Sequence, residues 1–296
     1  MRCKKTGEVA LEDVIDFWPG HGDYNACFAL TRDGSLRAVG ANSWGKLEVD
    51  DGTTNKTLFT QVAGLPGGAV IRKVAPCGSS RGAATAVLLK DGSIWTAGYG
   101  GQGFHGDGAA GHRHGFARLP LPDGVSAATD LWGGGEYAQL WFNGDDGNTY
   151  ACGYNGVGQL GIGNTTGNVT VPTRVALPDG VTARMISTGG AYDGSAHRHS
   201  TVMLGADSRV YSCGHYGRYG AWGSGQTATP LEWPLPVPPA DWDPVEVVAH
   251  GYTSEPGFFV RSACGTVWAA GRNAHNKLGV EGGAHYPTVM ARVGLY

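Results

Sequence analysis

The sequence is short of charge. Asp, Glu, Lys and Arg together make up 16% of it, with 22 basic and 25 acidic residues and a net charge of −3. There is no basic tail or cluster. That argues against nucleic acid as a main partner, because phosphate binding needs grouped Lys and Arg. No apolar run approaches 18 residues, so no segment reads as a membrane-spanning helix. Met1 to Thr6 leads into a polar stretch without the apolar core of a signal peptide, so export by that route is not expected. A cytoplasmic or virion location fits best. The six cysteines (Cys3, Cys27, Cys77, Cys152, Cys213 and Cys264) include no Cys-x-x-Cys pair, which removes the usual zinc spacing. Gly194-Ser195-Ala196 is not a nucleophile elbow, and Gly101-Gln102-Gly103 opens no helix, so neither hydrolase nor dinucleotide chemistry is indicated. No catalytic residue is assigned, no cofactor is expected, and the chain reads as a non-enzyme. No dozen residues carry a capped helical stripe.

Glycine, by contrast, is abundant, at 51 of 296 residues, and it recurs at fixed places. The stretch from Tyr150 to Gly163, with Gly153, Asn155, Gly158, Leu160 and Gly161, combines a short β-prone run with a glycine-rich turn. Four other stretches repeat the design. The anchor glycines are Gly40, Gly98, Gly153, Gly214 and Gly271, separated by steps of 58, 55, 61 and 57 residues. A period of this size means stacked units that bury each other's faces.

Each unit has the same grammar. An apolar run ends near a glycine, a second run follows, and then comes a tight turn such as Asp33-Gly34, Asp91-Gly92 or Asp146-Gly147. Asp-Gly between two short apolar runs is a strong hairpin signal. The third run carries the anchor glycine. A fourth is visible at Phe59–Val62, Phe116–Leu119, Pro172–Val175 and Pro287–Val289. Residues 216–244 read as an irregular, proline-stiffened strap carrying Trp233 and Trp242. Three or four strands repeated five times without helices predict an all-β fold, a single β-propeller domain over residues 1–296. Five blades are expected, closed by pairing of the N- and C-terminal strands, with an arc completed by other chains as the rival.

Gly153-Tyr154-Asn155-Gly156-Val157-Gly158-Gln159-Leu160-Gly161 resembles the repeat of the regulator of chromosome condensation family. His199-Ser200 is similar to that family's His-Thr or His-Ser position. The resemblance extends over about residues 10–293. It implies a β-propeller, although the best-known members usually have seven blades. The family's activities range from nucleotide exchange on small GTPases to enzyme inhibition and light sensing, so the fold does not fix function.

Candidate binding residues are the aromatics in the loops after the anchor glycines: Trp44, Tyr99, Phe104, Tyr154, Tyr216, Tyr219 and Trp222. Flat rings beside Asn and Gly suit a sugar or a protein surface. His105, His112 and His114, near Asp107, form a weaker metal candidate. Trp95, Tyr150, Tyr211 and Trp268 all lie three residues before an anchor glycine and are expected to pack blade on blade. Cys152 and Cys213 precede anchor glycines and are expected to be small buried thiols. The function expected is non-catalytic recognition of a protein or surface glycan, as a surface or virion attachment module of phage-tail type. The alternatives are an interaction scaffold or small-GTPase regulator, and a structural component of a larger particle.

Overall fold

The computed structural model describes residues 11–20, 26–49, 52–79, 82–135, 137–192, 197–214, 227–232, 242–250, 257–271, 278–280 and 291–294. Among these residues twenty strands form five antiparallel sheets of four, each built from consecutive strands. Sheet one holds β1 (Val14–Pro19), β2 (Ala26–Thr31), β3 (Leu36–Gly40) and β4 (Lys56–Gln61). Sheet two holds β5 (Ile71–Ser79), β6 (Gly82–Leu89), β7 (Ile94–Gly98) and β8 (Arg113–Arg118). Sheet three holds β9 (Ala128–Gly134), β10 (Gln139–Gly144), β11 (Thr149–Tyr154) and β12 (Asn168–Arg174). Sheet four holds β13 (Ala183–Tyr192), β14 (His197–Gly205), β15 (Val210–Gly214) and β16 (Thr227–Glu232). Sheet five holds β17 (Pro244–His250), β18 (Gly257–Ser262), β19 (Val267–Gly271) and β20 (Ala291–Arg292).

The hairpins between second and third strands form as the Asp-Gly signal predicts. In four of them the turn carboxylate accepts the backbone N–H two residues on: Asp33 from Ser35 (3.0 Å), Asp91 from Ser93 (2.9 Å), Asp146 from Asn148 (3.1 Å) and Asp207 from Arg209 (3.2 Å). This side-chain turn aligns the backbone, and the next residue must then take positive φ. Gly34, Gly92 and Gly147 do so without strain, whereas Ser208 is held at φ 62°.

The anchor glycines explain the repeat. Their φ values are 112°, 103°, 111°, 108° and 118°, a region that side chains rarely enter. Four of them sit where the ladder to the fourth strand slips by two residues, as between the pairs Ala151–Thr173 and Gly153–Val169. The surplus residues belong to the fourth strand, which bulges there as the glycine turns the third strand out into its loop. Space is also short. A Cβ on Gly153 would lie 2.6 Å from the Ala138 carbonyl oxygen, and one on Gly98 would lie 2.7 Å from that of Ala83.

Successive sheets pack face to face. Phe28, Leu36 and Ala38 of sheet one meet Val74, Val87 and Phe116 of sheet two. Leu88 and Ile94 of sheet two share a core with Leu131, Phe142 and Tyr150 of sheet three. Val202, Leu204 and Val210 of sheet four meet Val247, Val260 and Ala270 of sheet five. The periodic aromatics join these junctions: Tyr150 and Tyr211 are buried, and Trp95 and Trp268 pack against the cores. First strands lie side by side. Lys73 Nζ bonds Asp130 at 2.7 Å, and the Ala249 N–H donates to Ser187 Oγ at 2.9 Å.

Two expectations are corrected. The C-terminal strand does not complete the first sheet. β20 pairs with β19, as Trp268 with Arg292, and among the described residues β1 pairs with β2. Among the described residues each sheet runs from a first strand to a fourth, so the repeat boundary coincides with the sheet boundary. Second, the strap at 216–244 contains a strand, β16, despite Pro230. The missing N–H is tolerated because β16 is an edge strand with one neighbour, β15. Trp233 and the strand expected at Pro287–Val289 lie outside the described residues, and Trp242 packs edge-on to Trp268.

The loops that follow the anchor glycines are closed by buried side chains. Asn42 Oδ1 accepts the Leu47 N–H (2.9 Å), and its Nδ2 donates to the Gly52 carbonyl. Asn155 does the same for Leu160 (3.0 Å) and the Asn164 carbonyl. In the second repeat this position is Gly100, and His105 fills the space. A Cβ on Gly100 would touch its ring at 2.3 Å. The ring nitrogens of His105 lie 3.0 Å from Thr96 Oγ1 and 3.3 Å from the Gly98 carbonyl. Burial, aided by the Arg113 charge, lowers its pKa to about 4.

Three tests follow from this geometry. Gly153→Val should destabilise the protein by roughly 3 kcal/mol or more in urea unfolding, since it adds strain and an overlap with a carbonyl. Ser208→Gly should raise stability by about 1 kcal/mol by relieving positive φ. His105 binds its proton more weakly folded than unfolded, so its contribution is complete above pH 6.5 and is lost as pH falls towards 4. Urea titrations at several pH values should show the parent losing about 2–3 kcal/mol over that window through this group, and His105→Asn lacking that slope.

Candidate functional site

The connections between first and second strands and the loops after the anchor glycines lie at one end of the sheets. There, sheets one and two build an aromatic platform. Tyr99 directly follows Gly98 and lies over two glycines: a Cβ on Gly82 would meet its ring at 2.5 Å, and one on Gly101 would meet its hydroxyl at 2.6 Å. Only glycine at both places lets the ring lie down. Trp44 comes from the sheet-one loop, with backbone φ 59° turning its indole inwards. Its ring centroid is 5.3 Å from that of Tyr99, edge to face. His112 completes the cluster, 4.8 Å from Tyr99 and 6.2 Å from Trp44.

Polar contacts fix these rings. The Gly100 N–H donates to His112 Nδ1 at 3.3 Å, and Gln102 Nε2 donates to the Tyr99 hydroxyl at 3.4 Å. Arg113 pairs with Asp107 beside them. Beneath, Lys46 is 2% exposed, and burial lowers its pKa to about 8. Burial raises the pKa of Glu48, with His114 opposing it. The outer surface is therefore half-exposed aromatic, on a floor of glycine and of two ionisable side chains whose charged forms burial disfavours. Such a surface offers flat stacking faces and few mobile side chains, which suits a ligand with its own flat apolar face.

The third repeat builds a smaller counterpart. Tyr154 follows Gly153 and lies over Gly156, where a Cβ would meet its hydroxyl at 2.3 Å. Tyr137, from the connection between β9 and β10, stands 4.9 Å from it. No repeat signal marks Tyr137, because it lies outside the strand and loop positions that recur.

The remaining candidates separate. Phe104 is fully buried in the main core, so it is a packing residue and not a contact residue. It occupies the place of Leu160 and Leu47, six or seven residues past its anchor glycine, where each loop returns to the interior. Tyr216, Tyr219 and Trp222 lie outside the described residues. His105 is spent on its loop, while His112 faces the platform and His114 abuts Gly45. The three histidines do not converge, and among the described residues no group of three His, Cys, Asp or Glu is placed to hold a metal. Cys152 and Cys213 are buried thiols, as expected. They donate to the carbonyls of Phe104 (3.4 Å) and Gln159 (3.3 Å), each six residues past the preceding anchor glycine. Burial pushes both thiols up, away from the reactive thiolate.

Comparison with known proteins agrees with this construction. The regulator of chromosome condensation (RCC1) repeat matches residues 146–192. Human WBSCR16 superposes with a TM-score of 0.73 at 17% identity, covering 97% of this chain and 69% of its own. Prp20p from Saccharomyces cerevisiae superposes with a TM-score of 0.69 at 19% identity, covering 92% and 62%. The chain thus spans about two thirds of the length of these structures. One repeat of the chain is thus similar to the regulator of chromosome condensation repeat, its anchor glycine recurs in all five sheets and its buried loop asparagine recurs in sheet one, and the fold is similar to that of these β-propeller structures.

Proposed function

We propose that the protein is a non-catalytic recognition module, with each of its five sheets acting as one propeller blade and the loop end as the binding face. The observation that carries this is the cluster of Trp44, Tyr99 and His112 laid over Gly82 and Gly101. Two sheets contribute to it, so the platform exists only in the assembled fold. It is rigid before a ligand arrives, which limits the ordering cost of binding. The narrower reading is attachment to a surface glycan or surface protein, as part of a cell or virion surface. Low charge, glycine-rich loops and exposed rings support it, since sugars stack on aromatic faces and few long charged side chains interfere.

A second reading, a partner-binding scaffold or GTPase regulator, is favoured by the likeness to Prp20p, a protein studied for its binding to Gsp1p and histones. The two readings differ in ligand but share the loop end as the first place to look.

Labelled protein applied to a glycan array and to a panel of bacterial cells should bind a subset. The Trp44→Ala/Tyr99→Ala double variant should bind at least about tenfold more weakly, with an unchanged circular dichroism spectrum. Equal binding by the variant would remove the platform from the mechanism. Absence of binding across the panel, together with capture of a small GTPase and faster nucleotide release, would favour the second reading.

A further inference from the structure

The four internal junctions show what the two faces of a sheet require. Within each junction, a sheet's back face is covered by the front face of the sheet before it. In sheet two the covered back face includes Val74, Ala97 and Phe116, with Val74 2% and Phe116 8% exposed. The strand registers assign the same positions in sheet one. Phe17 pairs with Ala29 as Val74 pairs with Val87, Val39 precedes Gly40 as Ala97 precedes Gly98, and Phe59 corresponds to Phe116. In sheet one no described element covers this face. Phe17 is 48% exposed, and Ile15 and Leu58 at its margin are 53% and 72% exposed. Of the seven large apolar residues exposed among the described residues, four belong to sheet one: Val14, Ile15, Phe17 and Leu58. A hollow of about 820 Å³ opens on this face, bordered by Leu11, Val39, Leu58 and Phe59. Where sheets two and five carry a tryptophan, Trp95 and Trp268, sheet one has Arg37.

Sheet five is a poor cover for it. Lys73 of sheet two reaches Asp130, which holds the same repeat position in sheet three. In that register the fifth sheet would bring Glu246, already paired with Arg261 at 2.7 Å, against Asp16, with no cation at the position from which Lys73 reaches Asp130. The face matches itself better. Its rim carries both signs, with Glu12, Asp13 and Asp33 beside Arg32 and Arg37. An isologous interface sets one face against its own copy, so a rim that carries both signs can oppose arginines with acids. Four strands about 4.8 Å apart and about 20 Å long give a face near 400 Å² before side-chain relief. Pairing two such faces buries about 800 Å² before side-chain relief, the size of a weak, concentration-dependent dimer.

We propose that the back face of sheet one is a self-association surface, and that two copies of this chain pack it face to face around Phe17 and Phe59. The dimer leaves the loop end of each copy free.

The test is sedimentation equilibrium of the full chain over a wide concentration range. The expected species is a dimer. Phe17→Asp should raise the dissociation constant at least about tenfold, with an unchanged circular dichroism spectrum because Phe17 is half exposed. Val171→Asp, an exposed apolar position on sheet three, should leave the dimer intact. A monomer at every concentration would overturn the proposal. So would a dimer indifferent to both Phe17→Asp and Phe59→Asp, or a monomer whose β1 amides resist hydrogen exchange, which would show the chain covering this face itself.

Discussion

One backbone conformation, repeated five times, holds this architecture together. At each anchor glycine the third strand reaches positive φ against the second strand, and in the first four repeats it slips register against the fourth. The glycine's turn releases the chain into a loop at the same end of every sheet. The close approach of the neighbouring carbonyl at Gly98, Gly153 and Gly214 makes the position intolerant of any side chain. The sheets can therefore differ in their faces while their loops stay aligned.

The loops then solve one problem in two ways. A chain leaving a sheet exposes backbone donors that water cannot reach once the loop folds inwards. In the first and third repeats a buried asparagine satisfies them, and in the second the ring of His105 occupies the vacant place. This has a functional consequence. With His105 committed to the interior, the following histidine-rich stretch is free to turn outwards, and His112 joins Trp44 and Tyr99. The platform is thus a by-product of how the second repeat replaces its asparagine.

Much of the fold was legible because its determinants are local. Asp-Gly turns, the glycine period and short apolar runs each act over a few residues, and each appears in the structure where the sequence puts it. The site was less legible. Trp44, Tyr99 and Tyr154 are found on the loop end, but Phe104 has the same composition around it and is core. What separates them is distance from the anchor glycine. Tyr99 and Tyr154, one position past it, and Trp44, four past it, stay outside, whereas Phe104, six past it, is drawn back between sheets. Without the register of the loop, an aromatic in a glycine-rich stretch carries no information about which way it faces.

The sequence by itself determined the unit: four short strands, a side-chain-closed hairpin and a glycine that bends the third strand outwards. These follow from steric and hydrogen-bonding rules that need no distant partner. Tertiary structure alone decided which faces are covered. Phe17 and Val74 are equivalent apolar residues in their sequences, yet one is half exposed and the other buried, because burial depends on which sheet stands next in space. It also brought Trp44 and His112, 68 positions apart, into one surface, since that meeting depends on how two sheets dock and not on either sheet's own pattern.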